Sequence, residues 1–422
     1  MTSLHPSVDL GDDHADLLSH DTYTAGVPHA TFARLRRDDP VSWIDEPDGS
    51  GFWAVTRYRD IIEVSRRPEI FTSTHGIRLE EMTPEETEAR RTMLEHDAPS
   101  HTRLRRLVSR GFTRRRVESY EDQIRELAVE VVEEALAKGR FDFVHEVAEQ
   151  LPMKMLGRLL GTPDEDGPFL VAQGDALLGN TDPDFTDHVI DQVDTDEFRL
   201  VPFRSPSGLR LFDYARQQAA IRRTDPRDDI ISQLLATTTD GSVLTEHEFN
   251  NFFVLLVAAG NDTTRYTMTG GLKALLERPE LFDYLRGADD EQWFHAVEEI
   301  LRWTSVTMHF RRTATRDVEF GGKQIRAGDK VVIYFVSGDY DEAQFADPFT
   351  FDLTRDPNDH MAFGRGGAHL CLGAWLARME VRVTLQEFVR RVDSVAQTAP
   401  EARLRSNFIA GIKSLPVSVS VH

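Results

Sequence analysis

The sequence predicts a mainly α protein with a small β region, built as one large domain. Apolar residues recur at helical spacing through 118–138, 151–161, 245–278, 291–303 and 372–392. Short strand-like runs appear at 51–58 (GFWAVTRY), 317–325, 330–335 and 405–420, so the minority sheet draws on both ends of the chain. No Pro, Gly and Ser-rich linker, internal repeat or low-complexity tract divides the 422 residues. Residues 1–422 are therefore read as a single domain, with a flexible tail over 1–20.

The longest helix has readable ends. Thr245 and Glu248 form a capping box at its start, and Pro279 stops it after Arg278. An unbroken helix over that interval is roughly 50 Å long. Its middle reads VLLVAAGNDTTR.

Composition narrows the function. With 40% hydrophobic and 28% charged residues the chain can bury a core of ordinary globular kind. A net charge of -22 disfavours nonspecific nucleic-acid binding and favours solubility. The first twenty residues are polar and acidic, without the apolar run of a signal peptide or a membrane span, so a soluble cytoplasmic protein is expected. The one cysteine, Cys371, cannot form an internal disulfide.

Most single cysteines are small, inert, buried hydrophobes. The surroundings of Cys371 argue otherwise. It lies in MAFGRGGAHLCLGAWLAR, with glycines at 364, 366, 367 and 373 and a helix expected just after it. Glycines permit tight turns and close backbone approach, and a helix N-terminus favours a thiolate over a thiol. A dinucleotide fingerprint fails because His369 stands where its third glycine would be, and a zinc site fails for want of further cysteines or an H-E-x-x-H pattern.

The residues Phe363, Gly367, His369, Cys371 and Gly373 resemble the heme-binding loop of cytochrome P-450. The aromatic sits eight residues before the cysteine, one more than the commonest spacing, as in a subset of actinobacterial members. The resemblance implies the P-450 fold and a heme b whose iron is held by the Cys371 thiolate, with Phe363 and His369 against the cofactor. Glu299 and Arg302 in EEILRW, with Arg355 in FADPFTFDLTR, resemble the family's buried structural ion network. In AGNDTT, Gly260 would leave room for dioxygen, Thr263 would be the oxygen-side hydroxyl and Asp262 the acid that relays protons. The bland alternative is a Thr bonded back to a helix carbonyl beside a surface Asp. His101, Arg105, Arg312 and His360 match positions that grip the heme propionates.

Between Ala98 and Val117 stand seven arginines and no acidic residue. A solvated basic helix face is the plain explanation. The family reading is a dock for an acidic iron-sulfur ferredoxin, with Arg103, Arg106 and Arg110 as contacts and Arg105 turned inward. Electrons would come from NAD(P)H through a separate reductase and that ferredoxin. The expected substrate wall is Ile77, Met82, Phe253, Val257, Val306, Met308, Phe310 and Ile409, nearly all apolar, which suits a hydrophobic small-molecule substrate. Several blocks look most like bacterial members that oxidise sterol side chains and methyl-branched lipids, with terpenoid hydroxylases near. The stretch 181–211, in the region of the family's access lid, is longer than expected. The implied reaction is monooxygenation by dioxygen. A peroxide-using or rearranging heme-thiolate enzyme and a noncatalytic heme ligand sensor are the competing readings.

Overall fold

The helix expected to run unbroken from 245 to 278 is two helices in the computed structural model, which describes residues 16–47, 49–237, 241 and 243–421. The capping box forms as expected: Glu248 N donates to Thr245 Oγ1 at 3.1 Å and Thr245 N to Glu248 Oε2 at 2.9 Å. The first helix, Glu246–Gly260, ends where Asn261 departs from helical geometry at φ -107 and ψ -61, and Asp262–Leu276 follows. The Thr263 hydroxyl donates to Ala259 O at 3.1 Å. A side chain bonding back to the carbonyl four residues earlier competes with the backbone ladder and bends the helix.

The chain gathers into two compact units. One comprises residues up to Glu81, Gly287–Cys371 and Arg403–Gly411. It holds a five-stranded sheet in the order Val41–Ile44, Phe52–Val55, Lys330–Tyr334, His309–Ala314, Phe71–Thr72. Only the Phe52–Val55 and Lys330–Tyr334 pair is parallel. Along the central strand, side chains alternate between two apolar clusters. Val331 and Ile333 face Ile61, Val64 and Phe71, whereas Val332 and Tyr334 face Phe32, Leu35 and Met308. Both faces are thus covered, by the helices Tyr58–Ser65 and His29–Asp38, which is why the strand reads as a continuous apolar run. Of the expected tail over 1–20, residues 1–15 lie outside the described residues. Packing has begun by Leu17, which is buried, and Leu18 O accepts from Asn407 Nδ2 at 2.6 Å.

The other unit comprises Met82–Arg286, Leu372–Ala402 and Ile412 onward. It is a helical body in which Ala374–Arg391 packs on Glu121–Leu136, with a three-stranded sheet of Arg140–Asp142, Pro416–Val421 and Val392–Gln397 at one side. Among the described residues no helix is long and apolar enough to cross a membrane.

Glu380 lies buried in the helix Ala374–Arg391, and burial alone raises its carboxyl to about 8. Because the folded value exceeds the unfolded one, the folded protein binds the extra proton. Stability is therefore lost as pH rises from the ordinary carboxylate range through 8. Glu380→Gln removes that loss. In thermal melts the variant should gain on the parent steadily from pH 5 to pH 8, by up to ~1.4 kcal/mol per pH unit, and level off above that. A gap that does not change with pH would show that Glu380 is not the titrating group.

Candidate active site

Cys371 is exposed, at the end of a loop whose backbone is fixed in several places. Cys371 N donates to Phe363 O at 2.9 Å and Gly364 N to Met361 O at 2.7 Å. Gly364 and Gly366 take φ of 71 and 111, open to glycine and strained for other residues. Gly367 is required for a different reason: a Cβ there would collide with the Ser65 carbonyl at the end of the helix Tyr58–Ser65. His369 Nε2 lies 3.2 Å from Ser73 Oγ, and the Phe363 ring packs on His360 with centroids 5.8 Å apart. The helix Ala374–Arg391 starts three residues after the cysteine.

Behind this loop Glu299, Arg302 and Arg355 meet as one network. Glu299 and Arg302 are both 0% exposed. Arg302 Nε donates to Glu299 Oε2 at 2.8 Å and Nη2 to Oε1 at 2.7 Å, a two-point clamp, while Nη1 donates to the carbonyls of Asp339 and Pro348. Glu299 also accepts from Arg355 Nε at 3.1 Å, Asn358 Nδ2 at 3.0 Å and Asp352 N at 2.9 Å. Asp339 then ties the network to the loop, accepting from Ser305 Oγ at 2.9 Å and Met361 N at 2.5 Å, and its burial raises its carboxyl to about 6. Asp339 and Asn358 escaped the sequence reading because neither belongs to a spaced motif.

His360, expected to grip a propionate, has other work. Ala362 N donates to its Nδ1 at 3.2 Å, and its Nε2 lies 3.1 Å from Glu298 Oε2. A backbone N–H can only donate, so Nδ1 is the acceptor and Nε2 carries the proton to Glu298. Both ring nitrogens are engaged, and the ring braces the chain leading into the cysteine loop. The neighbours Arg311 and Arg312 point to opposite faces of their strand. Arg311 Nη1 donates to Glu80 O at 3.0 Å, whereas the buried Arg312 lies 5.9 Å from the Phe310 ring.

In the second unit the break at Asn261 orders its own set of residues. Leu256, Gly260 and Thr263 are half-buried and Ala259 is exposed, while Phe253 and Val257 are fully buried. The open face of this helix pair is therefore 256–259–263, a stripe at the i, i+3, i+7 spacing. Phe253 and Val257, expected in the substrate wall, belong to the core: Phe253 packs on Tyr214, and Val257 lies against Gly174. Counting helical turns back from Thr263 would have selected Leu256 and Ala259. Gly260 is small for packing, since a Cβ there would stand 3.0 Å from Leu156 Cδ1. The exposed residue at the break is Ala259. Of the remaining wall residues, Met308 is fully buried in a sheet cluster and is also core. Ile77, Val306 and Ile409 are buried, and Met82 and Phe310 are half-buried.

Asp262 is 1% exposed, so the surface-Asp alternative is overturned, although Thr263 does bond back to its carbonyl. Arg265 gathers three acids. Its Nη1 donates to Glu149 Oε2 at 3.0 Å and its Nη2 to Asp175 Oδ1 at 2.6 Å, and the same Nη2 lies 3.2 Å from Asp262 Oδ1. Burial first, opposed by Arg265 and reinforced by Asp175, holds the Asp262 carboxyl well above the usual carboxylate range.

His101 is buried and Arg105 half-buried on the helix Ser100–Val108. Arg103, expected in a docking face, is spent on Glu248 Oε1 at 2.5 Å. Arg114 and Arg116 pair with Glu118 and Asp228. Arg106 and Arg110 are exposed and make no ion pair among the described residues. Nor do the described residues hold a group of three or more His, Cys, Asp or Glu that could bind a metal ion.

The fold is that of the cytochromes P450. A Mycobacterium marinum cytochrome P450 solved in complex with pseudoionone matches with a TM-score of 0.84 at 39% identity, covering 92% of this chain and 94% of that one. The Cytochrome P450 family model matches residues 295–420. A methyl-branched lipid omega-hydroxylase of Mycobacterium tuberculosis is 40% identical over 98% of this chain and 96% of its own length. A steroid C26-monooxygenase of the same species is 37% identical over 93% and 89%. The chain belongs to the cytochrome P450 family and is a P450 monooxygenase, and the family implies heme b.

Glu299→Gln leaves Arg302 buried opposite a neutral amide that cannot return its two-point clamp. Breaking one side of a fully buried pair costs about 3–5 kcal/mol. A melting temperature lower by several degrees is expected, and an unchanged one would show that the network does not hold the fold.

Proposed function

We infer that the chain hydroxylates a hydrophobic small molecule, of the class of sterol side chains, methyl-branched lipids or terpenoids: RH + O2 + 2 electrons + 2 protons gives ROH + H2O. The observation that carries this reading is the exposed Cys371 thiol on a loop braced from behind by the Glu299–Arg302 clamp, in a chain 40% identical to a lipid omega-hydroxylase. The whole sequence is read as one catalytic domain working in the cytoplasm.

The residues present fit a heme. Cys371 is the one cysteine in the sequence, and it is exposed at the end of a glycine-rich loop. His101, Arg105 and Arg312 would hold the propionates, Arg by its planar fork, with His369 and Phe363 against the cofactor. Bound there, the heme supplies an iron that activates dioxygen, and a thiolate ligand favours O–O cleavage. Asp262 stores a proton because burial disfavours its anion. The Thr263 hydroxyl proton is committed to Ala259 O, so its oxygen presents lone pairs that can accept a hydrogen bond on the open face of the helix. Electrons would come from NAD(P)H through a reductase and an acidic iron-sulfur ferredoxin, docking at Arg106 and Arg110.

In the reduced carbon monoxide complex, Cys371→Ser should lose the long-wavelength absorption that thiolate ligation produces. Asp262→Asn should slow product formation about a hundredfold while reductant is still consumed and peroxide accumulates. An intact band in the first variant, or full product yield in the second, would sink the reading. Sterols, branched fatty acids and terpenoids should be screened for a low-to-high-spin shift of the ferric heme; silence from all three classes would remove the substrate assignment.

A further inference from the structure

The three acids on Arg265 come from three separate segments and are graded in depth. Side-chain exposure falls from 16% at Glu149 and 13% at Asp175 to 1% at Asp262. Asp262 Oδ2 is buried and has no hydrogen-bond partner among the described residues. One guanidinium cannot neutralise three carboxylates, one buried and two half-buried, so such a cluster favours keeping a proton on its deepest member. The other groups around it are few. His145 Nδ1 lies 3.5 Å from Glu149 Oε2 on the solvent side, Tyr266 Oη accepts from Arg265 Nη2 at 2.9 Å, and Asn261 Nδ2 donates to Asp262 Oδ1 at 3.1 Å.

We propose that Asp175 is a positioning residue for Asp262: it takes a proton from solvent and passes it inward, while Arg265 stays charged and holds the two carboxyls together. The inference rests on the reading of Asp262 as proton donor. In the transfer the O–H bond of the Asp175 carboxylic acid breaks and an O–H bond forms on the Asp262 carboxylate. Asp175 then regains a proton from hydronium in the solvent, which leaves as water, and no electron moves. The contacts favour that direction. Asp175 has the shorter bond to Arg265, 2.6 Å against 3.2 Å, and so becomes the better-stabilised anion once its proton has left. Asp262, deeper and more loosely held, is the better-stabilised acid.

The test uses the heme-loaded protein with Asp175→Asn, Asp175→Glu and Asp262→Asn. In the resting state, infrared difference spectra over a pH titration should show the carbonyl stretch of a protonated buried carboxyl that Asp262→Asn abolishes. Removing the neighbouring acid while leaving Arg265 should lower the midpoint of that band by about one pH unit or more in Asp175→Asn. During turnover the same variant should make product about tenfold more slowly with an enlarged solvent isotope effect, and Asp175→Glu should recover most of the rate. A midpoint and isotope effect both unmoved in Asp175→Asn, with Asp262→Asn impaired, overturn the inference and leave the donor reading standing. Full coupling in Asp262→Asn removes the donor reading and the inference with it. If Asp175→Asn does not fold, Asp175→Glu carries the test, because a carboxyl one methylene longer must displace the Asp262 midpoint, and an unmoved midpoint refutes the pairing.

Discussion

The clamp of Arg302 on Glu299 is the contact on which the cysteine loop depends. Two charges fully out of water are costly to bury, and they persist only where every lone pair and proton is matched. Here Glu299 accepts from two arginines, an asparagine and a backbone amide, and Arg302 serves two further carbonyls. Those partners lie on chain that is otherwise irregular, between about 339 and 358. The ion pair thus substitutes for secondary structure: it gives a long connection a fixed shape. Asp339 passes that shape on to Met361, and Met361 O to Gly364.

The second unit solves a different problem by a similar device. A helix that breaks at Asn261 exposes polar backbone, and the Thr263 hydroxyl takes up one carbonyl while Arg265 binds acids from neighbouring segments. In both units an arginine organises the irregular part of the fold, but with opposite outcomes. Arg302 has all its donors matched. Arg265 is outnumbered by carboxyls, which leaves a proton unassigned to any single bond.

Much of this was readable from the chain. The mainly helical class, the helix start at Thr245, the sheet drawn from both ends and the Glu299–Arg302–Arg355 triad all follow from local spacing, which a sequence displays directly. What stayed hidden depends on distant partners. Nothing near Asp262 reveals that Glu149 and Asp175, 116 and 90 residues from Arg265, will bury its charge. Arg103 reads as a surface cation until Glu248, 145 residues away, is placed beside it. The break at Asn261 is only weakly marked, because Gly260 and Asn261 are poor helix residues that packing commonly overrides. Phe253 and Val257 are apolar enough for a substrate wall, but angle around the helix, not apolarity, decides which residues are accessible.

The spacing of eight between Phe363 and Cys371 acquires a meaning from the bond that joins their backbones. The residues between them form a closed circuit anchored at both ends, and its turn falls among Gly364, Arg365, Gly366 and Gly367, where two glycines take positive φ and a third lies against Ser65. Contour length in this circuit is therefore decoupled from the placement of its anchor points. A lineage could lengthen or shorten the turn by a residue without moving the sulfur, so loop length here is an evolvable dimension, bounded by Gly367, whose missing side chain would meet a backbone carbonyl.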